Sequence, residues 1–281
     1  MTTVCIIGAG ELGGAVAHAL ARGERVARVV LIDTAGAVAA GKALDIQQSG
    51  AIEGFQTQLS GTDDLTRVTG CAVCVIADRH GQPASEWQGE EALAMIGRVT
   101  GYLGEAPVVF AGAAQAGVLL AAAREVGIRR ARLIGSASEA FVSAVRAIVA
   151  MEARCSPSEV NLAVVGAPPS FVIPWSESSI GGYALEHVLT QVQLTRLVAR
   201  AARLWPPGPY ALGMAAARVT EAIVTSSRRA FNVVSVLGGE FGAEGRVGAL
   251  PSLLAAPGIV HVRVPSLSTR ERVQMQTALG G

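Results

Sequence analysis

The residues best placed to do chemistry in this 281-residue chain stand at its start. Gly8-Ala9-Gly10-Glu11-Leu12-Gly13 is a G-x-G-x-x-G stretch between an apolar run, residues 3–8, and a small, apolar segment from Gly13 to Ala21. Gly8 permits a tight turn, Gly10 lets the backbone approach a pyrophosphate, and Gly13 lets a helix lie against a strand. A helix opening there offers unpaired N–H groups, those of Glu11 and Leu12 among them, and a partial positive charge to phosphate. Asp33 closes a second apolar run, Val26–Ile32, 20 residues after Gly13. A carboxylate there accepts hydrogen bonds from both ribose hydroxyls and repels a 2′-phosphate, so the expected ligand is NAD(H) rather than NADP(H). Ala77, ending a third strand-like run, completes the expected cofactor contacts. Glu11 is discordant: its carboxylate is harmless if it points outward and repels a pyrophosphate if it points inward.

Other reactive side chains carry less. His18 falls in the first helix, and His187 and His261 have no acidic partner at helical or strand spacing, so all three read as surface or packing residues. His80 follows Asp78-Arg79 at the carboxyl edge of the sheet, where ligands bind. It reads as an exposed loop histidine, with a relocated proton acceptor as the alternative. Cys71-Ala-Val-Cys74 has C-x-x-C spacing but lacks a second cysteine pair for zinc or a following helix N-terminus to activate a thiolate. Its cysteines are expected to be buried and structural, on opposite faces of a strand. Arg129-Arg130 and Arg228-Arg229 are too isolated to bind nucleic acid.

The elements that must position these residues alternate. Residues 3–8, Val26–Ile32, Val73–Ala77 and Val108–Ala111 read as strands, with helices over Gly13–Ala21, Ala37–Gln48, Trp87–Leu103 and Gly117–Val126. Such alternation gives an α/β fold, a Rossmann-type doubly wound parallel sheet with crossover helices. After Gly135 the rhythm changes: helices are predicted over Ser138–Ala153, Tyr210–Ser226, Ser266–Leu279 and most of Gly181–Leu204, and strands over Val160–Val165 and Asn232–Leu237. A boundary near residue 140 divides a dinucleotide-binding half, 1–140, from a second half, 141–281, that shares a broad interface with it.

Composition excludes several classes. Charged residues are 16% against the ~25% of an average soluble chain. The net charge of +1 and 51% hydrophobic residues argue against a disordered tail or an electrostatic nucleic-acid binder. So low a charge content fits a surface partly covered by copies of the same chain. No signal peptide is expected, and the uncharged run Ala106–Ala123, broken by Pro107, Gly112 and Gly117, is read as a strand, a turn and a helix start rather than a membrane span. The expected setting is cytoplasmic.

Beyond the glycine turn, Val30-Leu-Ile-Asp33, Gly41-Lys-Ala-Leu-Asp45, Ile52-Glu-Gly-Phe55, Gly61-Thr-Asp-Asp64, Ser156-Pro-Ser-Glu-Val160, Ile180-Gly-Gly182 and Val234-Ser-Val-Leu-Gly-Gly-Glu-Phe-Gly242 run nearly end to end in one family's order. The chain resembles the L-lactate/L-malate dehydrogenases, especially the malate-like branch. The resemblance implies a dinucleotide-binding half followed by an α+β substrate half, a homodimer or homotetramer, and NAD as cofactor. It also implies a hydride transfer served by a histidine base, an aspartate orienting it, and arginines gripping the substrate carboxylate.

Aligned residue by residue, those groups are replaced. Pro168, within Gly166-Ala-Pro-Pro-Ser170, stands at the histidine position; Phe141 stands for the aspartate and Ala144 for the arginine. Phe110-Ala111-Gly112 takes the place of the turn that contacts nicotinamide and substrate. The loop Asp78–Gly89 offers Gln82, Pro83 and Gly89 near its arginine positions, with Arg79 at the other end, and Arg146 is not the clamp. The segment Gly182–Tyr210 is also shorter than the family's pocket wall. The expectation is an NAD(H)-binding protein without the family's catalysis, acting as a regulator with an unidentified protein partner or as a scaffold. The alternative is an oxidoreductase of altered substrate using His80, Ser143 or Ser170.

Overall fold

The computed structural model describes residues 2–81 and 86–279. Its first half runs β1 (Thr3–Ile7), α1 (Glu11–Gly23), β2 (Arg28–Ile32), α2 (Gly36–Glu53), β3 (Gln58–Thr62), β4 (Val73–Ile76), α3 (Gly89–Leu103), β5 (Val108–Phe110), α4 (Ala116–Arg124) and β6 (Leu133–Gly135). The second half follows with α5 (Ala137–Ala153), β7 (Val160–Asn161), β8 (Val165–Ala167), β9 (Ser170–Val172), β10 (Ser179–Ile180), β11 (Tyr183–Ala184), α6 (Leu185–Val188), α7 (Gln191–Ala201), α8 (Pro209–Val224), β12 (Ala230–Gly238), β13 (Glu244–Ala255), β14 (Gly258–Val262) and α9 (Thr269–Ala278).

The main sheet has the order β3-β2-β1-β4-β5-β6-β12-β13-β8-β9, with β14 also on β13. Pairing is parallel from β3 to β6 and antiparallel from there on. The order reverses between β1 and β4, which creates the crevice where doubly wound folds bind ligands. β1 shows why the strands sit centrally: Val4 and Ile6 join one core with α1 and α8, while Cys5 and Ile7 join the other with α3 and α4. Helix α8 from the second half lies on α1, so close at Gly213 that an added Cβ would be 2.6 Å from that of Ala15.

Several elements differ from expectation. Val160–Val165 is not one strand: β7 belongs to a small sheet with β10 and β11, while β8 joins the main sheet. Gly181–Leu204 begins with a short strand before its helices. The edge strand β3, Gln-Leu-Ser-Gly-Thr, is too polar to announce itself. Long β13 carries Gly245, Gly248 and Pro251, residues that ordinarily argue against a strand. Cys71 and Cys74 are buried in the same core as Cys5, not on opposite faces, because Cys71 precedes the strand. All four cysteines are free. Among the described residues no helix is long and apolar enough to cross a membrane, and no group of His, Cys, Asp and Glu is arranged to hold a metal ion.

Candidate functional site

The glycine turn lies where the sequence puts it, between β1 and α1 at the switch point. Gly8 has φ +110°, a conformation that favours glycine, and its N–H bonds to Ile32 O at 2.7 Å. Leu12 and Gly13 are buried in the first turn of α1, while Glu11 is exposed. The carboxylate at the turn belongs to Asp78, two residues beyond β4. Its Oδ2 accepts the Leu12 N–H at 3.0 Å and its Oδ1 the Gly13 N–H at 2.8 Å, and its own carbonyl accepts the Gly10 N–H at 3.1 Å. These are charge-assisted bonds to helix N-terminal donors, the interaction a pyrophosphate would otherwise make. A Cβ on Gly10 would strike the Asp78 carboxylate, so the close approach permitted by that glycine is occupied by the protein itself.

Asp33 is likewise occupied. Its Oδ2 accepts Ala9 N–H at 2.8 Å and His80 N–H at 3.1 Å; its Oδ1 accepts Ala35 N–H at 3.0 Å and the Thr34 hydroxyl at 3.4 Å. Four donors fill the roughly four lone-pair sites of a carboxylate. Burial pushes the Asp33 carboxyl upward, but the hydrogen bonds from Ala9, Ala35, His80 and Thr34 outweigh it and hold the group below its usual range. His80 thus acts through its backbone, and its side chain is exposed. Ala77 is buried, its N–H on Ile7 O at 2.9 Å and its carbonyl accepting Gln115 Nε2 at 3.1 Å.

The other end of the groove is closed by a second acid. Glu86 accepts Ala113 N–H at 3.0 Å and Ala114 N–H at 2.8 Å, just beyond the Phe110-Ala111-Gly112 turn, and Asp78 and Glu86 form an antiparallel bridge. Buried Gln115 holds that turn by accepting Gly112 N–H at 2.8 Å. Arg79 pairs with Glu91 at 2.8 Å and lies 4.9 Å from the centre of the Trp87 ring. Gln82 and Pro83 fall outside the described residues. As folded, the groove does not fit a dinucleotide, because its donors and its ribose acceptor are already satisfied by this chain.

Of the residues aligned with the family's proton-transfer machinery, Phe141 sits in an apolar aromatic plug. Phe141, buried on α5, stacks on Phe171 with ring centres 5.0 Å apart, and Trp205 meets Phe141 edge-on at 6.0 Å and Phe171 at 4.8 Å. Ala144 is half-buried one turn along, and Ser143 and Ser170 are exposed. Pro168, joined to Pro169 by a cis bond, borders a cavity of about 10 Å³ also lined by Phe110, Gly112, Gln115, Ala137 and Val234. Ligand pockets measure about 300–1,000 Å³. Larger cavities lie elsewhere, one of about 350 Å³ beside Arg130, Glu240 and exposed His261. His18 bonds Glu53 at 2.6 Å, and His187 is exposed on α6.

Neither intruding acid stood out in the sequence as a contact of the groove. The signal available was an acid directly after β4, the strand that a doubly wound order sets beside the glycine turn.

A doubly wound sheet with a glycine turn and an acid at its switch point defines an α/β protein with a Rossmann-type core. No protein-family model matches the chain. Malate dehydrogenase of Salinibacter ruber is 27% identical over 295 residues, covering 99% of this chain and 93% of the relative. The solved malate dehydrogenase from Salinibacter ruber matches with a TM-score of 0.87 and 26% identity, over 99% of this chain and 94% of that one. A lactate dehydrogenase from Cryptosporidium parvum, complexed with lactic acid and β-nicotinamide adenine dinucleotide, shares the fold at TM-score 0.90 and 21% identity, over 99% and 94%. Over nearly its whole length the chain is similar to malate dehydrogenases, and its fold is that of the malate and lactate dehydrogenases.

Proposed function

We propose that this protein is a family member that no longer transfers hydride and works as a regulator or scaffold, a cytoplasmic homodimer or homotetramer acting with a protein partner. The observation that carries the reading is the aromatic plug: Phe141, packed against Phe171 and Trp205, stands where the resemblance implies the aspartate. A carbinol cannot release hydride efficiently without a group to take its proton, and neither proline nor phenylalanine can do so. Ala144, at the position of the carboxylate clamp, has no donor to offer an acid.

The cradle around Gly8, Gly10 and Gly13, with Asp33 at the ribose position, supports an ancestral NAD(H) site that discriminates against a 2′-phosphate. His80 does not favour the alternative of a relocated base, since its N–H holds Asp33 and its ring faces solvent. The test is NADH oxidation with oxaloacetate, pyruvate and a panel of aldehydes and ketones. The reading expects rates at the uncatalysed background; saturable turnover of any of them would overturn it.

A further inference from the structure

We infer that the segment from Asp78 to His80, together with Glu86, is an internal occupant of the nucleotide groove that competes with a dinucleotide for the same donors. The proposal rests on reading the cradle as an NAD(H) site, and it is independent of the loss of hydride transfer. Three stations along the groove carry it. At the helix N-terminus the Asp78 carboxylate binds Leu12 N–H and Gly13 N–H, as an anionic phosphate oxygen would. At the ribose station the His80 N–H takes an acceptor position on Asp33. At the far end Glu86 covers the Ala113 and Ala114 N–H groups.

The bridge between Asp78 and Glu86 ties the first and last stations together. Asp78 and Glu86 therefore contribute negative charge where the dinucleotide would bring its own. A ligand carrying two phosphates cannot share Leu12 and Gly13 with a carboxylate, so it must displace Asp78, and its apparent affinity falls by the fraction of molecules with the segment released. Removing the occupant removes that penalty.

The experiment is a calorimetric titration of NADH and of ADP-ribose into the wild-type protein, Asp78→Ala, Asp78→Asn and Glu86→Gln. A thermal unfolding curve of each, with and without 1 mM ADP-ribose as probe, runs beside it (about 1 mM being a weak-binding limit). Asp78→Ala should bind both ligands at least roughly tenfold more tightly than wild type, the factor that about 1.4 kcal/mol represents. Its melting temperature should fall without ligand, because a helix-terminal acceptor is gone, and recover when ADP-ribose is added. Asp78→Asn, which keeps the size but not the charge, should lie between them and serves if the alanine variant does not fold. Equal affinity in wild type and all variants would overturn the occupant while leaving the NAD(H) reading intact. Failure of every folded variant to bind either probe would overturn both.

Discussion

Two regions of the molecule are closed by different forces. The nucleotide half is filled by carboxylates: Asp78, Asp33 and Glu86 accept backbone N–H groups at 2.8–3.1 Å. The region around Phe141 is filled by apolar packing among Phe141, Phe171 and Trp205. Hydrogen bonds to a carboxylate can be exchanged for bonds to another anion at little net cost, since the donors stay satisfied. A packed aromatic cluster has no such exchange partner, and emptying it forfeits transfer energy and leaves a cavity. The first closure is a competition and the second is a commitment. A protein can regain a ligand across the first far more readily than it can regain a reaction across the second.

The sharpest break of this contrast is Phe141→Ala. It removes a buried ring from between Phe171 and the core and should cost about 3–5 kcal/mol in denaturant unfolding, with no gain in NADH oxidation. A loss below about 1 kcal/mol would show the cluster to be loosely packed and the pocket recoverable.

Asp33→Asn should cost about 1–3 kcal/mol, since Asn has one acceptor oxygen where the carboxylate has two. Its pH dependence has a definite sign. The folded-state pKa of Asp33 is depressed, so its contribution is fully present above the unfolded carboxylate value near ~3.9 and is lost as pH falls through the lower folded value. Wild type should therefore lose stability more steeply than Asp33→Asn below about pH 4; parallel curves would remove Asp33 as the clamp of the turn. Glu86→Gln should cost about 1 kcal/mol or less, because the amide oxygen still accepts one of the two N–H groups. His80→Ala should change stability by no more than about 0.5 kcal/mol, because only the backbone N–H of residue 80 is used. A larger change would give its ring a role.

The first half was legible because its strands are buried on both faces. Val4-Cys-Ile-Ile and Val73-Cys-Val-Ile are continuous apolar runs, and Gly8, Gly13 and Asp33 fall in the order that a switch-point turn demands. The positions of Phe141, Ala144 and Pro168 could be marked by resemblance, and the packing of Phe141 with Phe171 and Trp205 came from the fold. Asp78 and Glu86 were hidden for a physical reason. Asp78 is 66 residues from Leu12 in the chain and meets it only because β4 pairs with β1, and Glu86 reaches Ala113 across 27 residues. Local pattern carries strand and helix; it does not carry which carboxylate will settle on which free N–H. Polar β3 and Pro-containing β13 were missed because sheet pairing overrode composition.

The most direct test of the whole account is a crystal structure of Asp78→Ala grown with NADH. The account predicts the pyrophosphate on the Leu12 and Gly13 N–H groups, Asp33 on the adenosine ribose, and the Phe141-Phe171-Trp205 cluster unmoved with no room for a ketoacid. A dinucleotide bound to the wild-type protein with Asp78 still on those N–H groups, or an opened substrate cavity with a titratable group facing the nicotinamide, would contradict it.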